Sequence, residues 1–142
     1  MILLDTNVIS ALMQRQPEPA VIAWLDGLPP ESVWITSVTV FEVRFGLELL
    51  APGRRRKALE ENFVKAVEED LEGRVLAFDR SAAEAAGTIA AMRQRAGRPV
   101  EIRDVQIAGI AAARKATLAT RNTRHFEGLG VPLIDPWIAG SG

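Results

Sequence analysis

The sequence predicts an α/β fold, one parallel sheet flanked by helices in three layers, and three observations carry that expectation. Short apolar runs alternate along the chain with longer helical patterns, the order that builds a parallel sheet covered on both faces. The β runs are near-continuously apolar, as strands buried on both sides are. The 142 residues show no internal repeat and no linker, so a single domain over residues 1–142 accounts for them.

Each element has its own signal. Ile2–Leu4 is the first strand, and Asp5 ends it at once. A short helix is expected from Asn7 to Met13. A second runs from Pro19 to Leu28, with Pro17 and Pro19 at its start and Pro29-Pro30 closing it. Val33–Thr36 is the next strand, followed by a helix from Val38 to Leu50 that stops before Pro52-Gly53. Val38, Val40, Phe41, Val43, Phe45, Leu47, Leu49 and Leu50 leave that helix almost no polar face. It should therefore be largely buried, in the core or at a subunit contact. Helices at Arg54–Leu71, Ser81–Ala96 and Ile102–Lys115 interleave with strands at Val75–Phe78, Thr117–Ala119 and Pro132–Ile134. Ala108, Gly109 and Ala111 to Ala113 should let the Ile102–Lys115 helix lie close to the sheet. Trp24, Trp34 and Trp137 are expected in the core or an interface, as aromatics usually are.

Composition excludes several classes of function. With 48% apolar and 25% charged residues the chain is a globular protein, and with no cysteine it has neither disulfides nor a thiolate zinc site. No apolar run approaches the roughly 18 residues of a membrane span. Asp5 interrupts the N-terminal apolar stretch too early for a signal peptide, so a cytoplasmic location without membrane attachment is expected. A net charge of −1 and a pI near 5.9 are wrong for a protein that holds nucleic acid by phosphate contacts alone. Any such contact must come from local clusters: Arg54-Arg55-Arg56-Lys57, Arg93/Arg95/Arg98/Arg103, or Arg121 with Arg124.

Three acids stand out in apolar company. Asp5 follows a buried strand and points to the carboxyl edge of the sheet, where open α/β sheets place their chemistry. Glu42 lies on the nearly all-apolar helix, on one stripe with Val38 and Phe45. Asp104 sits in the first turn of its helix, ahead of Ile107, Ala108 and Ala111 on the same face. Each has a plainer reading, Asp5 as a helix N-cap and Asp104 as an acid at the positive end of the helix dipole. Together they form a set of like charges that cannot all stay ionised without a cation. No lysine or histidine stands out as a neutralising partner, and His125 is expected elsewhere, exposed near the groove rim. All-oxygen ligation suits Mg²⁺, with Mn²⁺ as a substitute, and the chemistry that follows is phosphodiester hydrolysis.

Four segments carry a resemblance. Leu4-Asp5-Thr6-Asn7-Val8-Ile9-Ser10, Thr39-Val40-Phe41-Glu42-Val43-Arg44-Phe45-Gly46 with Pro52-Gly53-Arg54-Arg55-Arg56, Arg103-Asp104-Val105-Gln106-Ile107-Ala108, and Ala119-Thr120-Arg121-Asn122-Thr123-Arg124-His125-Phe126 stand in order over the whole chain. The chain resembles a PIN-domain ribonuclease, specifically a VapC-type toxin of the FitB-like branch. The resemblance implies that Asp5, Glu42 and Asp104 are the catalytic, Mg²⁺-binding acids, and that the activity is endonucleolytic cleavage of RNA. It also implies a homodimer and a VapB-type antitoxin that inhibits the active site and binds DNA, so that DNA is contacted only through the partner. The chain departs from the family pattern at Asn122 and His125, where acids are common. One well-formed metal site is therefore expected, with Thr120 and Asn122 as auxiliary groups and Arg121 and Arg124 as RNA contacts.

Two rival functions belong to other classes. A non-catalytic PIN-like module would act by binding an antitoxin-like partner, and its mark would be no Mg²⁺-linked stabilisation. A phosphotransfer enzyme with an aspartyl nucleophile would want a second acid two residues after Asp5. Asn7 holds that position.

Overall fold

The computed structural model describes residues 1–139; the last three residues of the expected 1–142 domain lie outside the described residues. Five strands form one parallel sheet: β1 (Ile2–Leu4), β2 (Val33–Thr36), β3 (Val75–Leu76), β4 (Thr117–Ala119) and β5 (Leu133–Ile134), in the order β3-β2-β1-β4-β5. Ile2 pairs with Val33 on one side and Thr117 on the other, so β1 lies at the centre. The chain winds outward from β1 through β2 to β3, then returns to place β4 on β1's free side. That reversal is a topological switch point, and it opens a crevice at the carboxyl ends of β1 and β4.

The helices are α1 (Thr6–Leu12), α2 (Pro19–Asp26), α3 (Ser37–Leu49), α4 (Arg54–Lys65), α5 (Arg80–Arg95), α6 (Ile102–Arg114), α7 (Thr123–Phe126) and α8 (Pro136–Ala139). A wider π turn, Ala66–Asp70, carries α4 on toward Leu71. The three-layer expectation holds because successive strand residues point to opposite faces. Leu3 and Leu118 join the core under α5 and α6, while Leu4 and Ala119 join the one under α1, α2 and α4.

The outer strands are shorter than expected. Beyond Leu76, Phe78 gives its N–H to Ser37 Oγ at 3.1 Å instead of to a neighbouring strand. Pro132 has no N–H and lends the sheet its carbonyl, which accepts from Leu118 at 2.8 Å.

One expectation is met in part and another needs correction. Within the single chain α3 is buried on one face: Val38, Thr39, Val43 and Leu47 face inward, while Phe41, Phe45 and Leu49 are 58%, 51% and 72% exposed. The core thus accounts for one face, and the subunit-contact alternative concerns the other. Its apolar residues form two stripes, and one chain covers a single face of a helix at the edge of a layer. Phe41 and Phe45 stack on each other at 6.1 Å. The small residues of α6 do not all face the sheet: Ala112 and Ala113 are exposed, and Gly109 serves a closer neighbour. Although Ala108 and Ala111 are fully buried, a Cβ on Gly109 would lie 2.6 Å from Ala86 Cβ and 2.5 Å from the Ala82 carbonyl of α5. Gly109 lets two helix backbones touch. Trp24 is buried, and Trp34 and Trp137 are partly buried against the two cores. No helix among the described residues is long and apolar enough to cross a membrane.

Candidate active site

The crevice at the switch point is built on Asp5. The residue follows β1 in extended conformation and caps α1, its Oδ1 accepting from Thr6 N–H at 2.8 Å. The plainer reading of this acid, as a helix N-cap, holds. Its Oδ2 accepts from the Thr120 hydroxyl at 2.8 Å and from Asn7 Nδ2 at 3.2 Å. Thr120 is fully buried just past β4, tied by its N–H to the Ile134 carbonyl. A threonine there spans the two strand ends and fixes the rotamer of the carboxylate. Burial pushes the Asp5 carboxyl above its usual range, and the donations from Thr120 and Thr6 only partly offset this.

Glu42 approaches from α3. Thr36 caps that helix by accepting from Thr39 N–H at 3.1 Å. The Thr6 hydroxyl then bridges to α3, donating to Glu42 Oε1 at 2.9 Å and lying 3.1 Å from Thr39 Oγ1. Partial burial raises the Glu42 pKa, and the charges of Asp5 and Glu101 push the same way against Thr6 and Arg103.

Asp104 completes the set from the first turn of α6. Burial and then the charges of Asp5, Glu101 and Glu42 push its pKa to about 6, with His125 opposing. Asp5 thus stands close enough to raise the pKa of both Glu42 and Asp104, and Glu42 that of Asp104. They do not form a finished ligand set: among the described residues, no three Asp, Glu or His side chains are poised to hold one metal ion. The donor chemistry still fits a hard divalent cation, because the atoms are carboxylate oxygens whose mutual repulsion a cation would relieve.

Basic side chains stand beside the acids where they were not expected. His125 is 59% exposed, as a rim residue should be, yet its Nδ1 lies 3.5 Å from Asp104 Oδ2. Burial of the adjacent Phe126 pins this short helix to the core. Arg103 Nη1 lies 3.8 Å from Glu42 Oε2, and its Nε lies 3.3 Å from Glu101 Oε1.

Glu101 was not singled out in the sequence. It caps α6, accepting from the N–H groups of Arg103 and Asp104 at 2.8 and 3.2 Å. Burial tends to raise its pKa, but these donations outweigh it and hold the carboxyl low. An acid three residues before Asp104, just ahead of a helical pattern, was the available signal.

The auxiliary residues divide. Thr120 binds Asp5 as described. Asn122 is exposed and gives its backbone N–H to Thr120 Oγ1 at 3.0 Å, whereas the amide side chain that reaches the acids is that of Asn7. Asn7 Nδ2 also lies 3.2 Å from Thr120 Oγ1, and its Oδ1 accepts from Arg121 N–H at 3.2 Å. The Arg121 guanidinium lies over the Trp137 ring, 4.9 Å from its centroid, and Arg124 is exposed on α7.

A family model described as the PIN domain matches residues 2–130. The chain belongs to the PIN-domain family. This PIN domain is 41% identical to a plasmid stability protein, StbB, of Pseudomonas syringae pv. tomato over 98% of the chain and 100% of that protein. It is 39% identical to a VapC ribonuclease, Y4jK, of Sinorhizobium fredii, over 96% and 98%. Among solved structures it resembles the FitAcB complex of Neisseria gonorrhoeae and FitAB bound to a DNA fragment, at 37% identity and a TM-score of 0.87 in each. It covers 96% of the chain in both cases, and 99% and 96% of the matched chains.

Proposed function

We propose that this PIN domain is a metal-dependent endoribonuclease and the toxin of a toxin–antitoxin pair. The observation that carries the reading is the convergence of Asp5, Glu42 and Asp104, from three distant segments, at the switch point of the sheet. The name of the Sinorhizobium relative, a VapC ribonuclease, supports the activity. The similarity to FitAB and FitAcB supports a small antitoxin as partner, with DNA reached through it. An apolar depression of about 840 Å³ between α1, α2 and α4, lined by Ile9, Leu12, Ile22 and Leu25, offers such a partner a seat. The exposed Phe41–Phe45 stripe of α3 suits a homodimer contact. Phe45→Glu should then give a monomer by light scattering where the parent is a dimer.

Asp5 and Asp104 would hold a Mg²⁺ ion, or Mn²⁺ in its place, with Glu42 joining them or holding a water. Bound there, the ion would offset charge on the scissile phosphate and make a water easier to deprotonate. The protein's own groups do the rest. Thr6, Asn7 and Thr120 fix the orientation of the Asp5 carboxylate, so no reorganisation is needed when substrate arrives. With its Oε2 off the ion, Glu42 would take a proton from the attacking water as the water oxygen bonds to phosphorus; the P–O bond to the leaving nucleotide would break and its oxygen would take up a proton from solvent. Arg121 and Arg124 hold the flanking phosphates, which positions RNA without choosing a sequence.

Purified protein and RNA with Mg²⁺ test the reading: the parent should cut and Asp5→Asn should not. Equal cutting by both would overturn it. No cutting by either, with antitoxin binding intact, would support the non-catalytic module instead.

A further inference from the structure

Helix α3 carries a glycine that its own packing does not require. Gly46 is helical and exposed, and a Cβ built on it would meet nothing within 4 Å beyond its own helix. Gly109, by contrast, is needed where two helices touch. Glycine weakens a helix relative to alanine, and no contact among the described residues compensates for it at position 46. Gly46 does line a depression of about 170 Å³ between α1 and α3, whose walls include Thr6, Ser10, Met13, Val43 and Glu42. Side chains on a helix lean toward its N-terminus. Any side chain at position 46 would therefore lie over the preceding turn, which carries Glu42.

We propose that this depression receives one base of the RNA, beside the phosphodiester that is cut, and that Gly46 keeps it open. The inference rests on the endoribonuclease reading. A phosphate is a poor occupant, because the charged residue in the wall is an acid. A neutral ring suits the apolar walls, and its N–H groups can donate to Glu42, as base amino groups do to carboxylates. RNA readers commonly splay single bases out of the stack into slots of this kind. The slot would supply base preference that the phosphate contacts of Arg121 and Arg124 cannot.

The test uses an RNA oligonucleotide that the wild-type protein cuts, with each nucleotide flanking the cut made abasic in turn. One flanking position should lower wild-type kcat/KM on the order of tenfold or more. Gly46→Leu should lose a similar factor on intact RNA but little on the RNA abasic at that position, and Gly46→Ala should fall between. Neither variant should melt below the parent. If no flanking abasic site slows the wild type, or if Gly46→Leu loses equally on intact and abasic RNA, the base slot is overturned while the nuclease reading stands. Unchanged cleavage by Gly46→Leu with weakened antitoxin binding would also overturn it and assign the depression to the antitoxin. A wild-type protein that cuts no RNA overturns both.

Discussion

Asp5 and Asp104 are the same side chain in the same crevice, but they are held in opposite ways. Asp5 is buried and receives donors from Thr6, Asn7 and Thr120. Asp104 has an exposed imidazole at 3.5 Å and the charges of three other acids around it. The first carboxylate is part of the fold, because the strand ends and α1 are joined through it. The second is under electrostatic load from the acids around it. On the proposed reading, such a scaffold would fix one metal ligand firmly and leave another to be organised by the ion.

The largest expected effect breaks the firm side. Asp5→Asn should lower RNA cleavage on the order of a thousandfold, the scale seen when a group central to transition-state charge is removed. Activity within a few-fold of the parent would end the comparison. Thr120→Val is next: it removes a fully buried donor and leaves Asp5 Oδ2 under-satisfied, a loss of about 1–3 kcal/mol in chemical denaturation. A change near zero would mean that the strand ends are not joined through Asp5.

The loaded side is read by pH. The Asp104 pKa rises from 3.8 to about 6 on folding, so between those values the folded state binds more protons than the unfolded one. Stability from this group is therefore present below about pH 4 and lost as the pH rises toward 6. Metal-free protein should lose stability over that interval, Asp104→Asn should lose less, and Mg²⁺ should reduce the loss for the parent. Identical profiles for parent and Asp104→Asn would contradict the assignment. The smallest effect belongs to His125, which lowers the Asp104 pKa only as an exposed neighbour. His125→Ala should move the Asp104 carboxyl titration, followed by NMR, slightly upward. A downward shift would put the imidazole's influence elsewhere.

How legible this site was in the sequence depends on the kind of signal. Asp5, Glu42 and Asp104 showed because acids in apolar surroundings are costly and stand out. Strand and helix positions showed because periodicity and proline boundaries are local. Glu101 did not show, because an acid at a helix start is ordinary until Asp104 is known to face it. Nor did Thr6 and Asn7, whose roles depend on α3 and β4 arriving beside α1, more than 30 and 110 residues later. The contacts of Arg103 with Glu42 and of His125 with Asp104 are likewise tertiary. The second apolar face of α3 is a different case: periodicity reports that a face is apolar, not whether the same chain covers it.

The most direct test of the central claim is a thermal melt against Mg²⁺, repeated with Mn²⁺, at pH 7.5. If the acids at the switch point bind a divalent ion, the parent should melt several degrees higher in saturating metal. Asp5→Asn and Asp104→Asn should then show little or no shift. An unchanged parent, or a shift of equal size in both variants, would contradict the account.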